Sequence, residues 1–150
     1  AWTLGRQGLE KALAEGLVYA FETTLGGNSI VKLLVEGAKA GAQVHLWYAG
    51  LATPELHLRR IKARVAAGGH DIPEAKVRER FDASRSHLVK LMPHLASLRL
   101  YDNSFEADPR AGRRPQPVLL LQMQAGRVVA HAPLRSVPAW AKPLLAAALR

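Results

Sequence analysis

The sequence predicts an α/β fold with a parallel sheet and flanking helices, and three observations carry that class. Short apolar runs at Leu17–Phe21, Val44–Tyr48 and Leu98–Tyr101 alternate with longer stretches of helical spacing. Glycine and proline punctuate the joins between them. Near the C-terminus, two further apolar runs flank Ala125-Gly126-Arg127, the pattern of a β-hairpin.

The elements follow in order. Leu9, Leu13 and the neighbouring alanines predict a helix from about Leu4 to Glu15. Leu17–Phe21, ending at Glu22, reads as a buried strand. Asn28 or Ser29 caps a helix carrying Ile30, Leu33, Leu34 and Ala38, closed by Gly41. Val44–Tyr48 is a second buried strand. Thr53-Pro54-Glu55 opens a helix with Leu58, Ile61 and Val65 on one stripe. After Gly68-Gly69, Pro73 suits the first turn of a second helix, whose stripe is Val77, Phe81, Ser84, Leu88 and Leu91. Leu98–Tyr101 is a third strand. Asp108–Pro117 is a polar loop with proline and arginine. Val118–Gln124 and Val128–His131 form the hairpin, and a terminal helix begins after Pro138.

Composition bounds the function. The 150 residues suit one domain, and a hydrophobic fraction of 49% is enough for a core. There is no cysteine, which excludes disulfides and thiolate metal sites. No apolar run approaches the roughly 18 residues of a membrane span, and no signal peptide opens the sequence, so a cytoplasmic location and no membrane partner are expected. The net charge is +9, with a pI near 10.5. That charge attracts anions: nucleotide phosphates, nucleic acid or acidic surfaces.

Sites of several kinds find no support. Six histidines occur without an H-E-x-x-H, and no metal-binding residues are expected. Gly27-Asn28-Ser29 is not a nucleophile elbow, because Val31 stands where a glycine is required. Trp2, Trp47 and Trp140 are scattered, which argues against a base-stacking platform.

The densest signal is Arg60–Phe81, RIKARVAAGGHDIPEAKVRERF. Arg60 and Arg64 share a helix face, and Arg78 and Arg80 follow the Gly68-Gly69 turn. Guanidinium groups on two helices joined by a flexible turn suit a polyphosphate, which they bind bidentately. Arg59, Lys62 and Lys76 fit a solvated face paired with Glu74, Glu79 and Asp82 equally well.

With its flanks, this unit resembles the zeta-toxin-like branch of the P-loop kinases, the predicted ABC-type ATPases. Leu4-Gly5-Arg6 is similar to the helix before the family's acidic motif. Phe21-Glu22-Thr23-Thr24-Leu25 is similar to that acidic strand-end motif. Arg60-Ile61, Arg64-Val65, Gly68-Gly69-His70 and Ile72-Pro73 resemble the arginine lid. Tyr101-Asp102-Asn103-Ser104 resembles a late strand-end motif. The likeness covers roughly residues 4–105. It departs at Ser86-His87, where the family often has asparagine after the serine.

The resemblance implies an incomplete P-loop kinase-like sheet over residues 1–150, with a helical lid at 54–91. It implies Arg64 and Arg80 as catalytic arginines and Glu22, Thr23 and Thr24 as contacts to the phosphate acceptor. Arg60, Arg78, Asp102 and Asn103 would hold the nucleotide, although an Asx-turn explains Asp102 equally well. ATP and Mg²⁺ are the implied cofactors of the complete enzyme, with neither held tightly by this chain. The implied partners are the nucleotide, a small hydroxyl acceptor such as a nucleotide sugar, and an antitoxin protein.

One expected motif is missing. The chain has no Gly-Lys dipeptide, hence no G-x-x-x-x-G-K-[ST] phosphate loop. The sequence opens on Ala1 and reads as the later portion of such a kinase, inactive alone. In the resembled fold, the strand before that loop lies between Leu17–Phe21 and Val44–Tyr48. Two unpaired edges predict direct pairing of those strands, a homo-oligomer or another segment in the gap. The alternative is a non-catalytic basic module that binds nucleic acid or a protein through Arg59–Arg85 and Arg110–Arg114.

Overall fold

The computed structural model describes residues 2–150. Helix α1 spans Trp2–Glu15 and buries Leu9 and Ala12. Gly16 ends it at φ 66°, a left-handed conformation that glycine adopts without steric cost. Helix α2, Asn28–Lys39, follows a Gly27 cap and buries Ile30, Val31 and Leu34. The two helices meet closely at Gly37, where an added Cβ would stand 2.5 Å from Leu13 Cδ2.

The strands are β1 His45–Gly50, β2 Ser97–Asp102, β3 Val118–Gln124 and β4 Arg127–His131. They form one sheet in the order β1-β2-β3-β4. β1 and β2 run parallel, with Leu46 beside Leu98 and Tyr48 beside Leu100. β3 is antiparallel to both β2 and β4. The sheet is therefore mixed rather than parallel throughout. The physical reason lies in residues 103–117, which hold a short 3₁₀ turn at Pro109–Ala111 and an isolated bridge between Asp108 and Arg113 but no α-helix. Without a crossover helix, the chain returns antiparallel to β2. The hairpin β3–β4 forms where it is expected, turned by Ala125 and Gly126 at positive φ.

The expected strand at Leu17–Phe21 does not form. Residues 17–24 are irregular, with Leu17 53% and Val18 104% exposed. Among the described residues, no backbone hydrogen bond joins residues 18–24 to the open edge of β1, so the segment enters no ladder. Its apolar composition alone does not make it a strand.

The helix pair of the predicted lid is present as α3, Pro54–Ala66, and α4, Glu74–Leu91. Thr53 caps α3 by accepting from the Leu56 N–H at 3.2 Å. Gly68, at φ 89°, closes it with its N–H on the Val65 carbonyl. Pro73 precedes α4 as its cap rather than lying inside its first turn. Helix α5, Lys142–Ala148, ends the fold. Leu34, Leu88, Leu91, Leu144 and Leu145 pack with Leu98, Leu100, Leu121 and Met123 into one core. That core covers the Leu46–Tyr48 face of the sheet. The opposite face carries Trp47, 76% exposed, beside Arg99.

Candidate functional site

The open edge of β1 borders a cleft of about 1210 Å³. Its far wall is the irregular segment 17–25, and its end is closed by His57 of α3 and Arg80, Phe81 and Ser84 of α4. Local chemistry holds the far wall in place. His87, 6% exposed, lies with Nδ1 2.7 Å from the Leu25 carbonyl oxygen and Nε2 2.8 Å from Asn28 Oδ1. A carbonyl only accepts, so Nδ1 donates to Leu25. Thr23 Oγ1 accepts from the Leu25 N–H at 3.1 Å. Leu25 itself is buried at φ 52°. A non-glycine residue there costs of order 1 kcal/mol, and such strain collects at ligand sites.

Arg80 crosses this loop. An added Cβ at Gly26 would stand 2.7 Å from Arg80 Cγ, so the arginine stem lies directly on the glycine. Arg80 makes no hydrogen bond and no ion pair within 4 Å among the described residues, although its charge acts on Glu79 one residue away. Together with Glu22, Thr23 and Thr24, it lines the cleft. Arg85 lies nearby but is engaged: its guanidinium sits 4.2 Å over the Phe81 ring and pairs with Asp82.

The cleft floor is aromatic. Tyr48 Oη and Ser84 Oγ are 2.8 Å apart, and burial is the main cause that raises the Tyr48 pKa, keeping its phenol protonated. Trp140 stacks on Tyr48 with ring centroids 6.5 Å apart. Its Nε1 is buried without a hydrogen-bond partner. The His57 ring meets Phe81 edge-on. Burial first, and then the charge of Arg60, lowers the His57 pKa.

The structure separates the predicted site residues. Arg80, Glu22, Thr23 and Thr24 come together at the cleft. Arg64 turns back on its own helix end and donates to the His70 carbonyl at 3.1 Å. Arg78 is held by Glu55 at 2.7 Å and Glu74 at 2.8 Å on the surface. Arg60 donates to the Phe105 carbonyl at 2.9 Å and braces α3 against the loop after β2. In that loop, Asp102 accepts from the Ser104 N–H at 3.1 Å, an Asx-turn, and the Asn103 N–H extends the ladder to Gly50. None of these five lines the cleft.

Sequence reasoning missed Tyr48, His57, His87 and Trp140 as parts of the site. The available signal was the spacing of Phe81, Ser84 and His87, which puts a hydroxyl and an imidazole on the apolar face of α4. Among the described residues, no three His, Cys, Asp or Glu side chains are grouped to hold a metal ion. No helix of the described residues is long and apolar enough to cross a membrane.

No family model matches the chain, and no solved structure matches it. An uncharacterized protein of Haemophilus influenzae is 41% identical over 70 residues. That stretch is 47% of this chain and 50% of the relative, so the match spans about half of each.

Proposed function

We propose that these residues form the acceptor-binding and lid part of a zeta-toxin-like, ATP-dependent kinase that phosphorylates a small hydroxyl compound, such as a nucleotide sugar. One observation carries the reading. Arg80, without a hydrogen bond or ion pair among the described residues, lies across Gly26 in the same cleft as Glu22, Thr23 and Thr24. A guanidinium there meets phosphoryl oxygens, while Glu22 and Thr24 hydrogen-bond the acceptor hydroxyls. In the reaction the acceptor oxygen bonds to the γ-phosphorus as the bridging P–O bond breaks, ADP leaves, and the hydroxyl proton passes to the Glu22 carboxylate and then to water. Arg80 then offsets charge on the transferring group. Arg64, the stronger candidate by sequence, is spent on the α3 terminus in this arrangement.

The residues present do not fit Mg²⁺ on their own, since Glu22 is the one carboxylate lining the cleft. They do not include a glycine-lysine phosphate loop either. The chain by itself therefore turns over no ATP; phosphate cradle and metal come with another segment.

The test is a titration of inorganic triphosphate at low salt against the parent, Arg80→Ala, Arg64→Ala and Lys62→Ala. Arg80→Ala weakens binding ~tenfold, as expected for a lost charge-assisted contact, and the other two change it less than ~twofold. Equal losses in all three would identify a diffuse basic surface and sink the site. That outcome would favour the second reading, a non-catalytic module for nucleic acid or an acidic protein. In its support, Arg110, Arg113 and Arg114 stand exposed on the loop before β3.

A further inference from the structure

We infer that the open face of the sheet, on the side away from the helical core, binds a single-stranded nucleic acid by stacking bases on Trp47 and Tyr101. The inference does not rest on the kinase reading, whose residues Glu22, Thr23, Thr24 and Arg80 it leaves unused.

The strands themselves show that this face is built for water. The buried side chains of the helices cluster with Leu98, Leu100, Leu121 and Met123. Arg99, Gln122 and Gln124 alternate with those residues along β2 and β3 and so stand on the other face. A sheet covered on both faces carries near-continuous apolar runs, whereas this alternation marks a face left to solvent. A further layer of protein would desolvate guanidinium and amide groups there at a cost. The face suits a wet, polar ligand instead.

Register brings the recognition groups together. Trp47, 76% exposed, pairs with Arg99 across β1 and β2, and Arg99 pairs with Gln122 across β2 and β3. Tyr101, partly exposed, lies two residues beyond Arg99 and is the diagonal neighbour of Trp47. The two rings are far apart in the sequence, and the parallel β1–β2 register makes them adjacent. The tryptophans themselves stay scattered, since Trp140 is buried in the core. Neighbouring aromatic rings offer flat apolar surfaces to successive bases, a contact that needs no particular sequence. Gln122 and Gln124 bring amide donors and acceptors to the base edges.

Charge selects a phosphodiester strand. The Arg99 and Arg127 side chains make no hydrogen bond or ion pair among the described residues, and Arg127 stands beside Gln124 on β4. The four strands contain one carboxylate, Asp102, and Ser104 occupies it. The chain as a whole carries +9. A second copy would set this positive face against itself, and a duplex hides the base faces that the rings require.

The test is fluorescence anisotropy of a labelled single strand of about twelve thymidylates with the full chain at low salt. Trp47→Ala changes no charge and should weaken binding ~tenfold, while Trp47→Phe keeps a ring and most of the affinity. The thermal midpoint of both should match the parent, because the side chain is exposed. Arg99→Ala should weaken binding and lower the slope of log K against log salt by about 0.7. Trp47 and Arg99 also border the cleft, so Arg80→Ala in the cleft, Arg114→Ala on the loop before β3 and Lys39→Ala on α2 serve as controls, each expected to change affinity less than ~twofold. The strand should quench tryptophan emission in the parent and not in Trp47→Phe, which reads stacking whatever the affinities do. A duplex of the same length should bind at least ~tenfold more weakly. Undiminished binding by Trp47→Ala, or a duplex held as well as the single strand, overturns the stacking face in favour of a diffuse basic surface. A loss in Arg80→Ala or Arg114→Ala that matches Arg99→Ala overturns it in favour of the cleft or the loop.

Discussion

The aliphatic stem of Arg80 rests on Gly26, with 2.7 Å between Arg80 Cγ and the place a Cβ on residue 26 would occupy. The glycine is needed for space, since its φ is not in the left-handed region. Gly26→Ala should therefore fold normally and displace the arginine. We expect stability within ~0.5 kcal/mol of the parent and triphosphate affinity reduced about threefold to tenfold. Urea denaturation and calorimetric titration read the two quantities separately. Unchanged affinity would mean that Arg80 reaches the ligand from another position.

His87 holds the loop that carries Glu22–Thr24. It joins the Leu25 carbonyl to Asn28 from a buried position on α4. Truncation leaves a cavity and an unpaired carbonyl. His87→Ala should cost ~2–4 kcal/mol, and hydrogen exchange at residues 23–28 should accelerate more than in the sheet. A loss below about half a kcal/mol, with no local change, would show that the loop is held by other contacts.

His57 sets a pH dependence. Its folded pKa is lowered, chiefly by burial and then by Arg60, below the ordinary value near 6.5. The unfolded chain then binds the proton first, so this group's contribution is fully present above about pH 6.5 and is lost as pH falls through the folded value. His57→Gln should flatten that decline. Denaturation midpoints at pH 7.5 and pH 5.5 should lie closer together in the variant than in the parent. An identical spread in both would remove His57 as the cause.

Gly50 ends β1 against an indole. A Cβ there would stand 2.1 Å from Trp140 Cη2, a ring that is buried and stacked on Tyr48. Gly50→Ala should destabilise by ~1–3 kcal/mol through overpacking and alter tryptophan emission. The same substitution at Gly27, with nothing within 4 Å of its would-be Cβ, should be tolerated. Equal effects at the two positions would refute the packing argument.

Most of the secondary structure was legible in the sequence, because it is locally encoded. Thr53-Pro54 starts α3, Gly68 ends it, and the apolar spacing of Val77, Ser84, Leu88 and Leu91 gives α4 its buried face. Val44–Tyr48 and Leu98–Tyr101 locate β1 and β2 within two residues at each end. Residues Ala125 and Gly126 mark the hairpin turn. What the sequence could not decide was pairing and rotation. Leu17–Phe21 reads like the other two apolar runs, yet a strand exists only where a neighbouring strand takes its hydrogen bonds; the Leu17 N–H turns back to the Ala12 carbonyl, and among the described residues no backbone bond is made by residues 18–21. Likewise Arg64 reads as the stronger candidate of two arginines on neighbouring helices. Which one faces the cleft is set by how α3 and α4 rotate against the core. Packing at Leu88 and Leu91 turns Arg80 onto Gly26, and the α3 terminus folds Arg64 onto its own turn.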